Sequence, residues 1–120
     1  LVPVPTLVSR RRRRGYNQAE LIARGLSRRL GHRLCDGLER TGARASQVSL
    51  QAEERAANVE GSFRPGPDAS SLAALSHIVL VDDVLTTGAT LCEATRVLAE
   101  LGVQTVIAVT FARTLHHELR

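Results

Sequence analysis

Residues 77–90, which read His-Ile-Val-Leu-Val-Asp-Asp-Val-Leu-Thr-Thr-Gly-Ala-Thr, restrict the fold more than any other stretch of the sequence. The apolar run 78–81 favours a strand that is buried on both faces, as in a parallel sheet. Two adjacent carboxylates follow, then a turn rich in hydroxyl groups, and a helical pattern begins at Leu91. Because polar turns between strand and helix lie at the carboxyl edge of such sheets, this stretch predicts a ligand site there.

The turn at residues 86–90 has the features of a phosphate cradle. Unpaired backbone N–H groups and the positive end of the helix dipole converge on one point, and Gly88 permits a close approach of backbone to ligand. The threonines add hydroxyl donors. The predicted phosphate-binding residues are Thr86, Thr87, Gly88, Ala89 and Thr90.

The acidic pair Asp82 and Asp83 cannot bind a phosphate directly. It suits sugar hydroxyls, or a magnesium ion that bridges to a pyrophosphate. Together with the cradle, it describes a site for a phosphorylated ribose that carries a pyrophosphate. The simpler alternative is an ordinary turn with Thr90 as helix cap, since Thr90 and Glu93 have the spacing of a capping box. That alternative leaves two acids at the buried end of an apolar strand unexplained, although for Thr90 alone it stays open.

The rest of the sequence predicts alternating strands and helices. Asn17 is the expected start of the first helix and Gly31 its end, and Gly102 closes the helix that follows the acidic pair. This order predicts an α/β fold with a mainly parallel sheet flanked by helices. We expect one domain over residues 1–120, with an N-terminal part missing. The other expected segments are strands at 1–4, 33–41 and 103–111, a loop at 64–71, and a polar tail at 113–120.

Basic charge is concentrated in one place. All 16 basic residues are arginines, the net charge is +4, and five arginines are consecutive at residues 10–14. Such a cluster predicts an anionic partner, either a pyrophosphate or a nucleic-acid backbone. No apolar run is long enough for a membrane span, and no signal-peptide pattern is present, which favours a cytoplasmic protein without membrane insertion. Cys35 and Cys92 are expected to be free and buried.

The central motif resembles the signature of type I phosphoribosyltransferases. Two further stretches, Arg14-Gly15-Tyr16-Asn17-Gln18-Ala19 and a spaced set within residues 47–63, narrow the resemblance to the ComF family. These phosphoribosyltransferase-fold proteins are linked to DNA uptake in natural competence. The resemblance extends from about position 2 to about position 112. ComF proteins usually carry an N-terminal module with four zinc-binding cysteines, which this sequence lacks. The spaced set consists of Gln47, Leu50, Arg55, Asn58-Val59, Gly61 and Phe63.

The resemblance implies a role for each candidate residue. Asp82 and Asp83 would bind the ribose hydroxyls and orient them around magnesium, which the two carboxylates would hold indirectly. Residues 86–90 would hold the ribose phosphate. Arg14 and Arg55 would clamp the pyrophosphate, because a guanidinium fork matches phosphate oxygens. Pro5 and Thr6 would form the loop that meets the pyrophosphate, or a plain strand end. Within the hood-like segment 42–66, residues 42–62 resemble the mobile hood that closes over the ligand.

Two functions of different class follow from the resemblance. The first is magnesium-dependent transfer of a phosphoribosyl group, a pentosyl transfer of nucleoside metabolism, from phosphoribosyl pyrophosphate to an unidentified acceptor. The sequence does not identify a residue that would act as general base in catalysis. It also does not identify a segment that would recognise the nucleobase of an acceptor. The second is a non-catalytic competence factor that binds single-stranded DNA and partners such as a DNA-uptake helicase. Its DNA contacts would come from Arg10, Arg11, Arg12 and Arg13, which otherwise are solvated side chains.

Overall fold

The computed structural model describes residues 1–6, 15–41 and 60–115. Three strands form a parallel sheet, two short strands form an antiparallel ribbon, and three helices connect them. In chain order the elements are β1 (Val2–Pro3), α1 (Gln18–Leu30), β2 (Leu38–Arg40), β3 (Phe63–Pro65), α2 (Ala69–Leu72), β4 (His77–Leu85), α3 (Ala89–Glu100) and β5 (Thr105–Arg113).

The parallel sheet has the strand order β1-β4-β5, with the strand of the central motif in the middle. Val2 pairs with Leu80 on one side of β4, and Val109 pairs with Val81 on the other. Ile78, Leu80 and Val81 in the apolar run of β4 are buried, and a neighbouring strand pairs with each edge of β4. The predicted α/β fold with a parallel sheet flanked by helices is therefore confirmed.

Helix α1 begins and ends at the residues that the sequence indicates. The Asn17 side chain accepts a hydrogen bond from the Ala19 N–H at 3.1 Å, and its amide group donates to the Val4 carbonyl at 3.1 Å. Gly31 ends the helix with φ of 71°, in the left-handed region that glycine favours. Asn17 thus caps α1 and ties it to the end of β1.

The ribbon of β2 and β3 corrects two expectations. The predicted second strand contributes only Leu38–Arg40, and it pairs antiparallel with β3 outside the parallel sheet. Residues 64–71, expected as a loop, instead contain the end of β3 and the start of α2. Arg64 forms an ion pair with Glu39 at 2.8 Å across the ribbon. Pro65 is compatible with a strand here because it terminates β3 in a two-stranded ribbon.

The structure does not bear out the capping-box alternative for Thr90 and Glu93. Thr90 is the second residue of α3, and Gly88, with φ of 83°, occupies the capping position. The carboxylate of Glu93 does not reach back to Thr90 but bonds to Gly61 and Arg96. Local spacing does not predict this arrangement, because Gly61 lies 32 residues away in sequence.

The main core lies between α3 and one face of the parallel sheet. Leu72, Leu80 and Leu98 are among its fully buried members, and Cys35 is also buried. Cys92 is exposed, contrary to expectation, although both cysteines are free. Within the described residues, no helix has the length and apolar character needed to cross a membrane.

Strand β5 is much more exposed than its apolar sequence predicts. It pairs with β4 along one edge, and the side chains of Ile107 and Phe111 are 53% and 83% exposed. Among the described residues no further strand pairs with its other edge.

Candidate functional site

A cleft of about 450 Å³ opens at the carboxyl ends of β1 and β4. Parallel sheets place their ligand sites at this edge, because the connections to the helices leave the sheet there. The cleft brings together predicted residues that are up to 85 positions apart in the chain, from Pro5 to Thr90. The predicted residues that line it are Pro5, Thr6, Asp82, Asp83, Thr86 and Thr90.

The acidic pair lies within β4 and is fixed by local hydrogen bonds. One oxygen of Asp82 accepts from the Asp83 N–H at 2.8 Å, and one oxygen of Asp83 accepts from the Val84 N–H at 2.8 Å. Both side chains are half-buried. Because their own backbone holds them, the two carboxylates are oriented before any ligand arrives.

The pKa of Asp82 is raised to about 6, chiefly by burial. The neighbouring Asp83 carboxyl also acts to raise the pKa, whereas the Asp83 N–H and the positive charge of Arg40 act to lower it. Two carboxylates with a partly desolvated member favour a cation or hydroxyl donors between them. The pair is therefore suited to polyhydroxylated or metal-bound ligands.

The turn between β4 and α3 has the geometry expected of an anion site. Gly88 is in the left-handed conformation, and the Thr87 hydroxyl oxygen accepts a hydrogen bond from the Ala89 N–H at 3.3 Å. Thr86 and Thr90 line the cleft, whereas Thr87, Gly88 and Ala89 are not among its lining residues. Helix α3 has 12 residues, and the positive end of its dipole is at its N-terminus, beside this turn.

Thr6 lines the cleft with a buried polar atom. It follows β1, and the Val4 N–H at the end of that strand donates to the Val81 carbonyl at 2.8 Å. Among the described residues, the Thr6 hydroxyl is buried without any hydrogen-bond partner. Such a group is uncommon in folded proteins unless a ligand or water satisfies it, which favours Thr6 as a ligand contact.

Arg40 lines the same cleft and was not singled out by the sequence. Its guanidinium carbon lies 5.2 Å from the ring centroid of Phe63, a cation–π distance. The register of the ribbon places these two residues opposite each other. No local pattern distinguishes this arginine from a solvated one, because its aromatic partner comes from β3.

The cleft also includes Tyr16, Asn17 and Gln18 from the start of α1.

Several predicted residues lie outside the described part of the chain. They are the arginines of the basic cluster, the second pyrophosphate candidate, and most of the hood-like segment, of which 60–66 are described. Those residues are Arg10, Arg11, Arg12, Arg13, Arg14, Arg55 and the range 42–59.

The acidic pair fits magnesium in the form in which nucleotide-processing proteins hold it. In the described ranges, no group of three or more histidine, cysteine or acidic side chains could enclose a metal ion. Magnesium, however, is commonly bound by one or two carboxylates together with phosphate oxygens and water. Asp82 and Asp83, half-buried at the edge of the cleft, match that donor set.

Comparison with known proteins identifies a family profile that matches this chain and several relatives of it. The sequence profile of the "Phosphoribosyl transferase domain" matches residues 13–120. Competence protein F of Haemophilus influenzae is 36% identical over 107 residues, which are 88% of this chain and 46% of that protein. DNA utilization protein YhgH of Escherichia coli K12 is 36% identical over 116 residues, 96% of this chain and 49% of that protein.

A more distant relative is competence protein ComFC of Bacillus subtilis, 32% identical over 102 residues, which are 85% of this chain and 39% of that protein. The chain thus spans about half the length, or less, of these curated relatives. No solved structure matches the chain significantly. The profile match covers nearly the whole chain and includes the acidic pair and the turn at 86–90. The chain therefore belongs to the phosphoribosyl transferase domain family, and within it to the ComF proteins.

Proposed function

We propose that the cleft binds phosphoribosyl pyrophosphate together with magnesium. The observation that carries this proposal is the convergence of Asp82, Asp83 and the turn residues Thr86 and Thr90 on one cleft, together with the Thr6 hydroxyl, which has no hydrogen-bond partner in the described part of the chain. A ligand with two anionic ends and a central diol would satisfy all three features. The membership in the phosphoribosyl transferase domain family supports this choice of ligand.

The roles follow from the chemistry of each group. Backbone N–H groups at 86–90 bind the ribose phosphate, and the carboxylates of Asp82 and Asp83 accept hydrogen bonds from the ribose hydroxyls. Thr6 and Arg40, which line the same cleft, would contact the pyrophosphate, and Arg14 and Arg55 remain predicted ligands for it. Magnesium, held by the acidic pair, would neutralise part of the charge of the pyrophosphate.

The reaction proposed for this site is phosphoribosyl transfer. The bond between the anomeric carbon and the pyrophosphate oxygen breaks, pyrophosphate leaves with the bonding electrons, and a nitrogen nucleophile forms the new bond and loses its proton. The chain contributes by holding the ribose in place through the acidic pair and the turn at 86–90, and by stabilising negative charge on the leaving pyrophosphate, principally through Arg40. The acceptor is not assigned.

Calorimetric titration with matched variants tests the site. Asp82→Asn/Asp83→Asn removes both charges while keeping the side-chain shape and an acceptor oxygen. We expect this double variant to lose affinity for magnesium-bound phosphoribosyl pyrophosphate by at least about a hundredfold, as for loss of charged hydrogen-bond partners. The control Glu39→Gln/Glu100→Gln removes two exposed carboxylates outside the cleft and should bind as the parent does. Equal affinity of the acidic-pair variant and the parent would contradict the proposed site.

A second candidate function is binding of single-stranded DNA. The names of the relatives, competence protein and DNA utilization protein, favour it, as does the basic cluster in the sequence. Fluorescence anisotropy with a labelled oligonucleotide should show affinity that falls steeply with salt, because phosphate contacts release counterions. Substituting Arg10–Arg13 by alanine should reduce the salt slope. Absence of binding at low salt would contradict this function without affecting the proposed nucleotide site.

A further inference from the structure

Glu93 is a buried carboxylate whose hydrogen bonds connect two separate parts of the fold. It lies in the second turn of α3 and is 9% exposed. One oxygen accepts from the backbone N–H of Gly61 at 3.0 Å and from Arg96 at 2.6 Å, and the other accepts from Arg96 at 3.0 Å. This two-point contact with Arg96 lowers the pKa of Glu93, so the carboxylate is ionised at neutral pH.

Gly61 connects the carboxylate to the ribbon. Its carbonyl oxygen accepts from the Thr41 hydroxyl at 2.9 Å, and the adjacent Ser62 carbonyl accepts from the Thr41 N–H at 2.7 Å. Thr41 directly follows β2, and Gly61 comes two residues before β3. Glu93 therefore holds one end of the β2–β3 ribbon against α3.

The same end of the ribbon carries the cationic side of the cleft. Arg40 and Phe63 are paired across the two strands at this end, with the guanidinium over the ring. Gly88, which belongs to the phosphate turn and precedes the first residue of α3, is five residues before Glu93. One carboxylate thus connects the element that carries Arg40 to the element that carries the turn.

We propose that Glu93 is a positioning residue that sets the separation between Arg40 and the turn at 86–90, and so favours ligands with an anionic group at each end. For the identity of its ligand, this inference rests on the proposed function. Glu93 does not line the cleft and acts through Gly61 and the ribbon. A carboxylate that served stability alone would affect every ligand of the cleft equally.

The test compares two ligands that differ in the number of anionic ends. Phosphoribosyl pyrophosphate needs both sides of the cleft, whereas ribose 5-phosphate needs only the turn and the acidic pair. We expect Glu93→Ala to weaken the first by about tenfold and the second by less than about twofold, because the bond to Gly61 that places the ribbon is lost together with the contact with Arg96. Glu93→Gln retains an acceptor for the Gly61 N–H and should recover most of the affinity. Glu100→Gln, which removes the other carboxylate bonded to Arg96, should match the parent.

Hydrogen exchange provides a readout that needs no ligand. In Glu93→Ala, the amides of Gly61 and Thr41 should exchange faster, while amides in the middle of α1 keep their rates. Unchanged exchange at Gly61 and Thr41 would overturn the proposal, as would equal losses of affinity for the two ligands. If the parent binds neither ligand, the proposed function fails, and the exchange rates alone then uphold or overturn the positioning role of Glu93.

Discussion

At the scale of single residues, Asp82 shows how the fold alters chemistry that the sequence only indicates. Its position after an apolar run predicts a carboxylate at the end of a buried strand, and the structure places it there, half-buried beside Asp83. The cost of this placement is desolvation, which raises its pKa to about 6. Without a cation or ligand, the charged form of Asp82 is therefore a source of instability.

This pKa predicts the pH dependence of stability for Asp82→Asn in metal-free buffer. The native carboxyl binds its proton more tightly than the unfolded chain does, whose pKa is about 4. The contribution of Asp82 to stability therefore falls as pH rises from about 4 to above about 6. We expect the melting temperature of Asp82→Asn to exceed that of the parent at about pH 8 and to approach it at about pH 4. A difference that does not vary with pH, measured by circular dichroism, would refute this account.

Residues of the central motif could be predicted from sequence, whereas Arg40 and Glu93 could not be placed. The motif residues are adjacent in the chain, so strand, acids and turn are legible together. Arg40 and Glu93 acquire their roles from partners in other segments, Phe63 and Gly61. Glu93 even matched a local pattern, the capping box, that the longer-range bond replaces.

At the scale of elements, local sequence predicts the β4–α3 unit but not the β2–β3 ribbon. The strand, turn and helix of the β4–α3 unit follow one another in the chain. The ribbon depends on close contact between segments about 25 residues apart, and Pro65 and Gly66 resemble a loop when considered locally. Gly66 is required there because an added Cβ would lie 2.6 Å from the Asp36 carbonyl oxygen and 2.8 Å from the Leu38 nitrogen.

Gly66→Ala should therefore destabilise the protein by roughly 1–3 kcal/mol, because backbone atoms on the facing segment must move. The matched control is Gly25→Ala, at a position inside α1 where an added Cβ meets nothing within 4 Å. That control should stabilise the protein by about 0.5–1 kcal/mol through helix propensity. Urea unfolding measures both changes. Equal effects at the two glycines would show that the contact between Gly66 and β2 does not hold the ribbon.

At the scale of the whole molecule, β5 is the part that departs most from its sequence. A run of nine residues with a single charge, at Arg113, predicts a buried strand, yet the structure leaves much of it exposed. Burial depends on which elements lie on each side of a strand, and the composition of the strand does not supply that. A long, apolar edge of this kind promotes association between chains.

The 120-residue chain should consequently associate as its concentration rises, and Phe111→Lys should reduce this tendency. Among the residues that the structure describes, Phe111 is the most exposed of the large apolar side chains, so a lysine there adds charge without removing core packing. Light scattering after size-exclusion chromatography gives the mass at each concentration. Thr105→Lys, at the start of β5 and also exposed, tests whether charge at any point of the strand suffices. Unchanged association in Phe111→Lys would exclude the apolar surface of β5 as the cause.

In the molecule as a whole, the acidic pair and the phosphate turn together form the proposed site for phosphoribosyl pyrophosphate. Calorimetric titration of this ligand into the folded parent chain, with magnesium and then with the metal chelated, tests it most directly. We predict saturable binding of one ligand per chain, and a loss of at least about tenfold in affinity without magnesium, as expected for paired charges. A folded chain that shows no binding at millimolar ligand in magnesium would contradict the claim.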